Sequence, residues 1–372
     1  MSEQPNETLT RSSRDPEELR ERLERWLTGT LGEPAKPSVI GVEVPSSNGM
    51  SSETLLFDAV WAEDGRERRG SFVARVAPDP ADVPVFPSYD LELQFRVMQL
   101  VGEHSDVPVP RAVWLELDDR ALGAPFFVME RVEGRVPPDV MPYNMGSWLL
   151  EAARAEQRAL QDASVAVLAG IHGIDRSKVD TAFLEYGTPG DSHLRRHVEH
   201  WRRYYDWVRG EARYPVLEAT FDWLERHWPA DEGETVISWG DARIGNMMFD
   251  GFRPVAVLDW EMAGLGPRGI DVGWMVFLHG FFEFVAHQLE MEGMPHFLRA
   301  DDVRATYEQL SGSELGDLRW YEVYAALRHG IVMARVHARQ VHFGEAEPPA
   351  EPDDAVMHRP VLEQMLEGSY WD

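Results

Sequence analysis

The sequence predicts an α+β chain of two lobes: a small antiparallel β-sheet lobe with one main helix, then a larger, mainly helical lobe. Three observations lead there. β-branched residues alternate through short runs up to about residue 132, helical periodicity dominates from Gly134 onward, and one β-rich insert, 235–261, interrupts the helices. A chain of 372 residues also exceeds what one hydrophobic core usually holds.

Residues 1–34 read as a polar tail followed by a charged amphipathic helix, opened by Asp15-Pro16, running to about Leu31 and lying on the outside of the first lobe. The first lobe is expected over 35–131. Its strands are Val39 to Val44, Thr54 to Ala62 and Ser71 to Ala77, with Asp64-Gly65 as a hairpin turn between the second and third. A helix at about Leu91 to Val101 precedes two more strands, Ala112 to Leu117 and Pro125 to Val132. The second lobe, 132–372, is expected to hold helices at about 148–174, 191–209, 213–228, 272–290, 301–310 and 318–343. The acidic, proline-containing stretch Glu345 to Asp354 reads as a linker.

Composition narrows the function. With 36 basic against 64 acidic residues the formal charge is -28, which repels nucleic acid and anionic membranes and predicts neither as a partner. The absence of cysteine excludes disulfides, thiolate metal sites and a Cys nucleophile, and fits a cytoplasmic setting. No apolar signal core lies near the N-terminus, and His279 and Glu283 interrupt the most apolar stretch, Gly273 to Ala286, so no membrane span is predicted. His172, His329, His337 and His342 lack the spacing of a zinc site and read as structural or surface residues.

The insert carries the chemistry. It reads Ile237-Ser-Trp-Gly-Asp241-Ala-Arg-Ile-Gly-Asn246, then a turn, then Val255-Ala-Val-Leu-Asp259-Trp260-Glu261. Asp241 and Asn246 stand at the separation used by the Asp and Asn of a phosphoryl-transfer catalytic loop, and Asp259 ends the next apolar strand. Such chemistry needs hard oxygen ligands for Mg²⁺, here Asn246 and Asp259, and a carboxylate to take the acceptor's proton, here Asp241. An isolated Asp-x-x-x-x-Asn is far more often a turn. The second carboxylate and the preceding β-rich lobe favour the catalytic reading.

This segment resembles the aminoglycoside phosphotransferase and choline kinase family, small-molecule relatives of the protein kinases. The resemblance extends through Val107-Pro-Val-Pro-Arg111, Gly123-Ala-Pro-Phe-Phe-Val-Met-Glu130, Val132-Glu-Gly134 and Gly264-Leu-Gly-Pro-Arg-Gly-Ile-Asp271, and covers about residues 35 to 290. Within the family the chain looks most similar to actinobacterial proteins assigned as aminoglycoside phosphotransferases, through Val83-Pro-Val-Phe-Pro and Pro137-Pro-Asp-Val-Met-Pro-Tyr143. It implies a protein-kinase-like fold and transfer of phosphate from ATP, with Mg²⁺, to a hydroxyl of a small molecule.

The resemblance also assigns the donor side. Lys36 and Lys178 are the only lysines and no Walker sequence is present, so Arg75 is the cation placed on the third strand to meet the phosphates. Either Glu92 or Gln94 would orient it. Ser46, Ser47, Asn48 and Gly49, in the loop between the first two strands, would cover the phosphates. Met129, Glu130 and Val132 would read the adenine edge. Glu261, Trp274, Phe277 and Tyr143 are candidates for the acceptor pocket, although aromatic residues at helical spacing more often belong to a core.

One departure stands out: Trp239 occupies the position where the family has His. An indole cannot accept a hydrogen bond, so the loop must be braced in another way. Trp239, the missing strand lysine and Gln94 together motivate a rival reading, an idle nucleotide-binding module. A second alternative keeps the enzyme but replaces aminoglycosides with hydroxyacyl thioesters, the substrates of related domains fused to acyl-CoA dehydrogenases.

Overall fold

The computed structural model of the protein describes residues 15–45 and 53–371. It divides into two units, the first made of residues up to Phe95 together with Pro110–Arg131, the second of Arg96–Val109 and Val132 onward.

In the first unit, helix α1 (Pro16–Leu31) begins where the Asp15 side chain accepts the Glu17 amide at 3.0 Å, with Pro16 preset for the first turn. Leu19, Leu23 and Leu27 recur every four residues and are buried with Val39, Leu55, Phe57, Phe72 and Phe126. The helix is therefore part of this unit's core, where the sequence suggested an outer attachment. Strands β1 (Ser38–Glu43), β2 (Glu53–Glu63) and β3 (Arg66–Val76) lead to helix α2 (Leu91–His104), then β4 (Ala112–Glu116) and β5 (Phe126–Glu130). They form one antiparallel sheet in the order β1-β2-β3-β5-β4. Asp64 and Gly65 both take positive φ, 50° and 73°, the backbone that a two-residue hairpin turn requires.

The sequence placed 96–109 wholly in the first lobe, whereas the structure groups this segment with the second unit. Val107 presses against Gly170, where a Cβ would come within 2.7 Å of its side chain, and Pro108 accepts the Val257 amide at 2.8 Å.

The second unit holds α3 (Arg154–His172), α4 (His193–Arg209), α5 (Pro215–Arg226), α6 (Gly269–Gln288), α7 (Ala300–Ser311), α8 (Arg319–His342) and α9 (Arg359–Glu367). Helix α6 packs along α8, which is also flanked by α4, α5 and α9. Helix α6 is long and apolar enough to cross a membrane, but most of it is buried inside this unit, which accounts for its composition. Helix α3 starts later than its periodicity suggests, because Ser147 and Glu156 side chains take the amides of Leu149, Leu150 and Ala153 ahead of it. Two antiparallel pairs interrupt the helices: β6 (Thr235–Ser238) with β9 (Gly264–Pro267), and β7 (Met247–Asp250) with β8 (Arg253–Val257).

Candidate active site

The site is built where β6 ends. After Ser238 the chain turns through Trp239 and Gly240 to Asp241, and a short helical turn, Ile244–Asn246, delivers Asn246 to the start of β7. Gly240 is obligatory: its φ is +91°, and a Cβ would lie 2.0 Å from the Met262 carbonyl oxygen. Beyond β8 the Leu258 amide donates to the Asn246 carbonyl at 2.9 Å, which sets Asp259 beside the same turn. Asp259 has φ +57°, a strained backbone for a residue other than glycine.

Asp241 is held by three donors. Asn246 Nδ2 donates to its Oδ2 at 2.7 Å, Trp274 Nε1 to its Oδ1 at 2.7 Å, and Arg243 Nε to both oxygens at 3.0 Å. A carboxylate offers about four lone-pair sites, so this set occupies the group fully. The shared Arg243 contact is the longest and the most easily exchanged.

Arg243 also forms an ion pair with Asp139, from the loop ahead of α3. Burial opposes the Arg243 charge, but Asp241 and Asp139 outweigh it and raise its pKa above the ordinary guanidinium value. Burial raises Asp139 above the usual carboxylate range; Arg243 pulls it down, while Asp241 and Asp259 repel it. Asp139 thus feels both Asp241 and Asp259, while Arg243 is shared between Asp139 and Asp241. Neither Asp139 nor Arg243 was singled out from the sequence. The only available signal was their position, one in the Pro-rich 137–143 stretch and one inside the catalytic-loop spacing.

Beneath the loop, fully buried Asp271 at the start of α6 accepts four hydrogen bonds: Ser238 Oγ at 2.7 Å, the Trp239 amide at 2.7 Å, the Gly240 amide at 2.9 Å and His172 Nε2 at 3.0 Å. Burial alone would raise its pKa, but these donors, His172 foremost, outweigh burial and hold the carboxyl below its ordinary value. His172 Nδ1 meets Tyr307 Oη at 2.8 Å, so this histidine joins α3 and α7 to the loop.

Trp239 is fully buried; its Nε1 donates to the Leu258 carbonyl at 2.9 Å, and its ring lies 5.8 Å from that of Trp260. The indole therefore braces the residue before Asp259 by donating, which an imidazole could do only in one tautomer.

The remaining expected residues fall in different places. Arg75 lies on β3 and its Nη1 donates to Thr54 Oγ1, its cross-strand neighbour, at 3.2 Å. Gln94 is buried and Glu92 exposed. Met129 and Glu130 end β5, where Glu130 pairs with Arg111 at 2.6 Å; Val132 begins the second unit. Ser46, Ser47, Asn48 and Gly49 lie outside the described residues. Glu261 is partly exposed directly after Trp260.

Of the acceptor candidates, Trp274 reaches Asp241, whereas Phe277 and Tyr143 are enclosed. Phe277 is fully buried among Phe281, His329 and His358, and Tyr143 bonds His279 at 2.9 Å inside the unit. The gain from removing these rings from water exceeds what an open pocket wall would give them.

Two oxygen-bearing side chains and a clamped carboxylate on one hairpin, following a five-stranded sheet unit along the chain, define an enzyme of the protein-kinase-like phosphotransferase class. The chain belongs to the phosphotransferase enzyme family, whose profile matches residues 52–310. A solved structure from Ralstonia eutropha, provisionally assigned as an aminoglycoside phosphotransferase, is similar at TM-score 0.65 and 26% identity, covering 94% of this chain and 97% of that one. A thermostable mutant of the aminoglycoside phosphotransferase APH(4)-Ia, in ternary complex with AMP-PNP and hygromycin B, shares the fold at TM-score 0.53 and 17% identity, covering 93% and 97%. A probable acyl-CoA dehydrogenase of Arabidopsis thaliana is 28% identical over 325 residues, which is 83% of this chain. The chain spans 37% of that relative's length.

Proposed function

We propose that the phosphate donor is ATP, that Asp241 is the general base, and that Asn246 and Asp259 are the ligands of Mg²⁺. The observation that carries this reading is the commitment of the Asn246 amide nitrogen to Asp241, at 2.7 Å to Oδ2 and 3.1 Å to the backbone oxygen, which leaves Asn246 Oδ1 to serve as a hard ligand.

The residues present fit the metal. Among the described residues no cluster of three or more His, Cys, Asp or Glu side chains forms a complete metal cage. Mg²⁺ does not require one, since it takes one or two protein oxygens and completes its shell with water and phosphate. The repulsion of Asp139 by Asp241 and Asp259 is a negative field that a divalent cation would relieve. When bound, Mg²⁺ supplies neutralisation of the donor phosphates.

The chain's own residues perform the rest. The acceptor hydroxyl takes over the shared Arg243 contact on Asp241, while Arg243 stays anchored on Asp139. The hydroxyl proton passes to the Asp241 carboxylate, the acceptor oxygen bonds to the γ-phosphorus, the bridging P–O bond breaks, and ADP leaves. Asn246 and Trp274 keep the carboxylate from turning away. Arg75 is assigned to the donor phosphates, and Met129, Glu130 and Val132 to the adenine. A cytoplasmic setting, where ATP is abundant, goes with this reading.

The acceptor is a small-molecule alcohol of one of two kinds. Similarity to the Ralstonia protein and a charge of -28 support a polycationic aminoglycoside. The match of 83% of the chain to a relative named as an acyl-CoA dehydrogenase supports a hydroxyacyl thioester. ADP release from Mg-ATP, measured with hygromycin B and with a set of hydroxyacyl-CoA compounds, separates the two. Omitting Mg²⁺ or introducing Asp241→Asn is expected to abolish the acceptor-dependent rate while Asp241→Asn still binds AMP-PNP. Full activity in that variant contradicts the assignment of the base, and nucleotide binding with no turnover for either compound set favours an idle module.

A further inference from the structure

We infer that Trp274 and Arg328 are positioning residues that hold Asp241 in its working orientation, an inference that rests on Asp241 being the base. Of the three donors to Asp241, two travel with it. Arg243 and Asn246 belong to the same loop; Arg243 also pairs with Asp139, but that residue too lies in a loop, the one ahead of α3. Trp274 is different. It lies on α6, thirty-three residues along the chain, and its indole N–H reaches Oδ1 at 2.7 Å. This bond alone among the three ties the carboxylate to the helical framework.

Something must in turn fix the indole, and Arg328 on α8 is placed to do so. Its guanidinium stands 4.3 Å from the centre of the Trp274 ring, with Tyr324 at 5.1 Å and Trp201 at 5.5 Å. Nη1 makes a long contact to the Gly240 carbonyl at 3.5 Å, and Nη2 reaches the Ile270 carbonyl at 3.3 Å. Arg328 thereby touches the residue before Asp241, the residue before Asp271, and the ring that holds Asp241.

Packing does not explain this residue. Arg328 is fully buried, Nε has no hydrogen-bond partner, and among the described residues no carboxylate lies within ion-pair distance. Burial lowers its pKa, outweighing the pull of Asp271 and Asp241, and an apolar side chain of similar volume would fill the space at less cost. The cation attracts the nearby carboxylates of Asp271 and Asp241, and it also acts on the aromatic face. It attracts the indole ring, and by drawing electron density from the ring it strengthens the N–H as a donor to Asp241.

The test compares Trp274→Phe, Arg328→Met and Arg328→Lys with wild type and Asp241→Asn. The readouts are kcat and KM for ADP release from Mg-ATP with water as acceptor, and AMP-PNP affinity by calorimetry. Trp274→Phe should lower kcat by about 10- to 100-fold and leave KM for Mg-ATP and AMP-PNP affinity within about twofold. Arg328→Met should follow it, and Arg328→Lys, which keeps the cation, should recover part of the loss.

A kcat for Trp274→Phe within about twofold of wild type, with Asp241→Asn inactive, overturns this inference and leaves the base in place. A loss expressed in KM and AMP-PNP affinity instead overturns it as well, because that marks general damage. Full rate in Asp241→Asn removes the base and the inference together. Should Arg328→Met fail to fold, Trp274→Phe, which removes the N–H and keeps an aromatic ring, decides alone.

Discussion

Trp239 and Leu258 are joined by a single hydrogen bond of 2.9 Å from the indole N–H to the backbone carbonyl, nineteen residues apart in sequence. That bond spans the hairpin from the residue two before Asp241 to the residue one before Asp259. In Trp239→Phe the partly buried carbonyl loses this donor, at a cost of about 1 kcal/mol. Urea unfolding should show that loss, and a Mg²⁺ titration of ADP release should show a higher requirement, because Asp259 is no longer braced.

Asp271→Asn preserves shape but not charge. The carboxylate receives bonds from Ser238, Trp239, Gly240 and His172, and an amide in its place turns an NH₂ group toward at least one of these donors. Breaking a buried, charge-assisted set of this kind costs about 3–5 kcal/mol. Thermal or chemical denaturation checks it, and a change within about 0.5 kcal/mol, the range of surface substitutions, would contradict the hub.

Glu322 on α8 is 4% exposed, and burial pushes its carboxyl up from an ordinary 4.5 to about 7, with Trp371 Nε1 donating at 3.3 Å. The folded chain therefore keeps a proton that the unfolded chain releases between these values. Its stabilising effect is complete below pH 4.5 and is lost as pH rises through 7. Relative to Glu322→Gln, wild type should lose roughly 3 kcal/mol between these limits, since each tenfold difference in proton affinity between the folded and unfolded chain is worth about 1.4 kcal/mol. Measuring both proteins by denaturation at pH 4.5 and pH 8 isolates this effect, because the buried histidines, which act with the opposite sign, are common to both.

Much of the fold was legible because its determinants are local. Alternating strands, the Asp64-Gly65 turn and the long amphipathic helices each carry a periodic or turn signal. Strand β9 carried none: Gly-Leu-Gly-Pro has little β propensity and is a strand through its pairing with β6, while Tyr186 and Ile270 leave no room for a Cβ at Gly264 and Gly266. Helix α9 was also missed, following a stretch that reads as linker. At the site, the spacing of Asp241, Asn246 and Asp259 was readable within one segment. Asp139 and Arg328 were not, since each reaches the loop from roughly 90 to 100 residues away and nothing in its own neighbourhood marks it.

The burial of α6 has a consequence for biogenesis. The ribosome completes this apolar helix at Gln288, yet its principal cover, α8, ends at His342, fifty-four residues later. At roughly 5–20 residues per second, the nascent chain spends about 3 to 11 seconds with the α8-facing side of a helix of membrane-span composition uncovered. Chaperone capture, or slowed translation over 289–342, therefore bears on the yield of soluble enzyme more directly than the stability of the finished fold does.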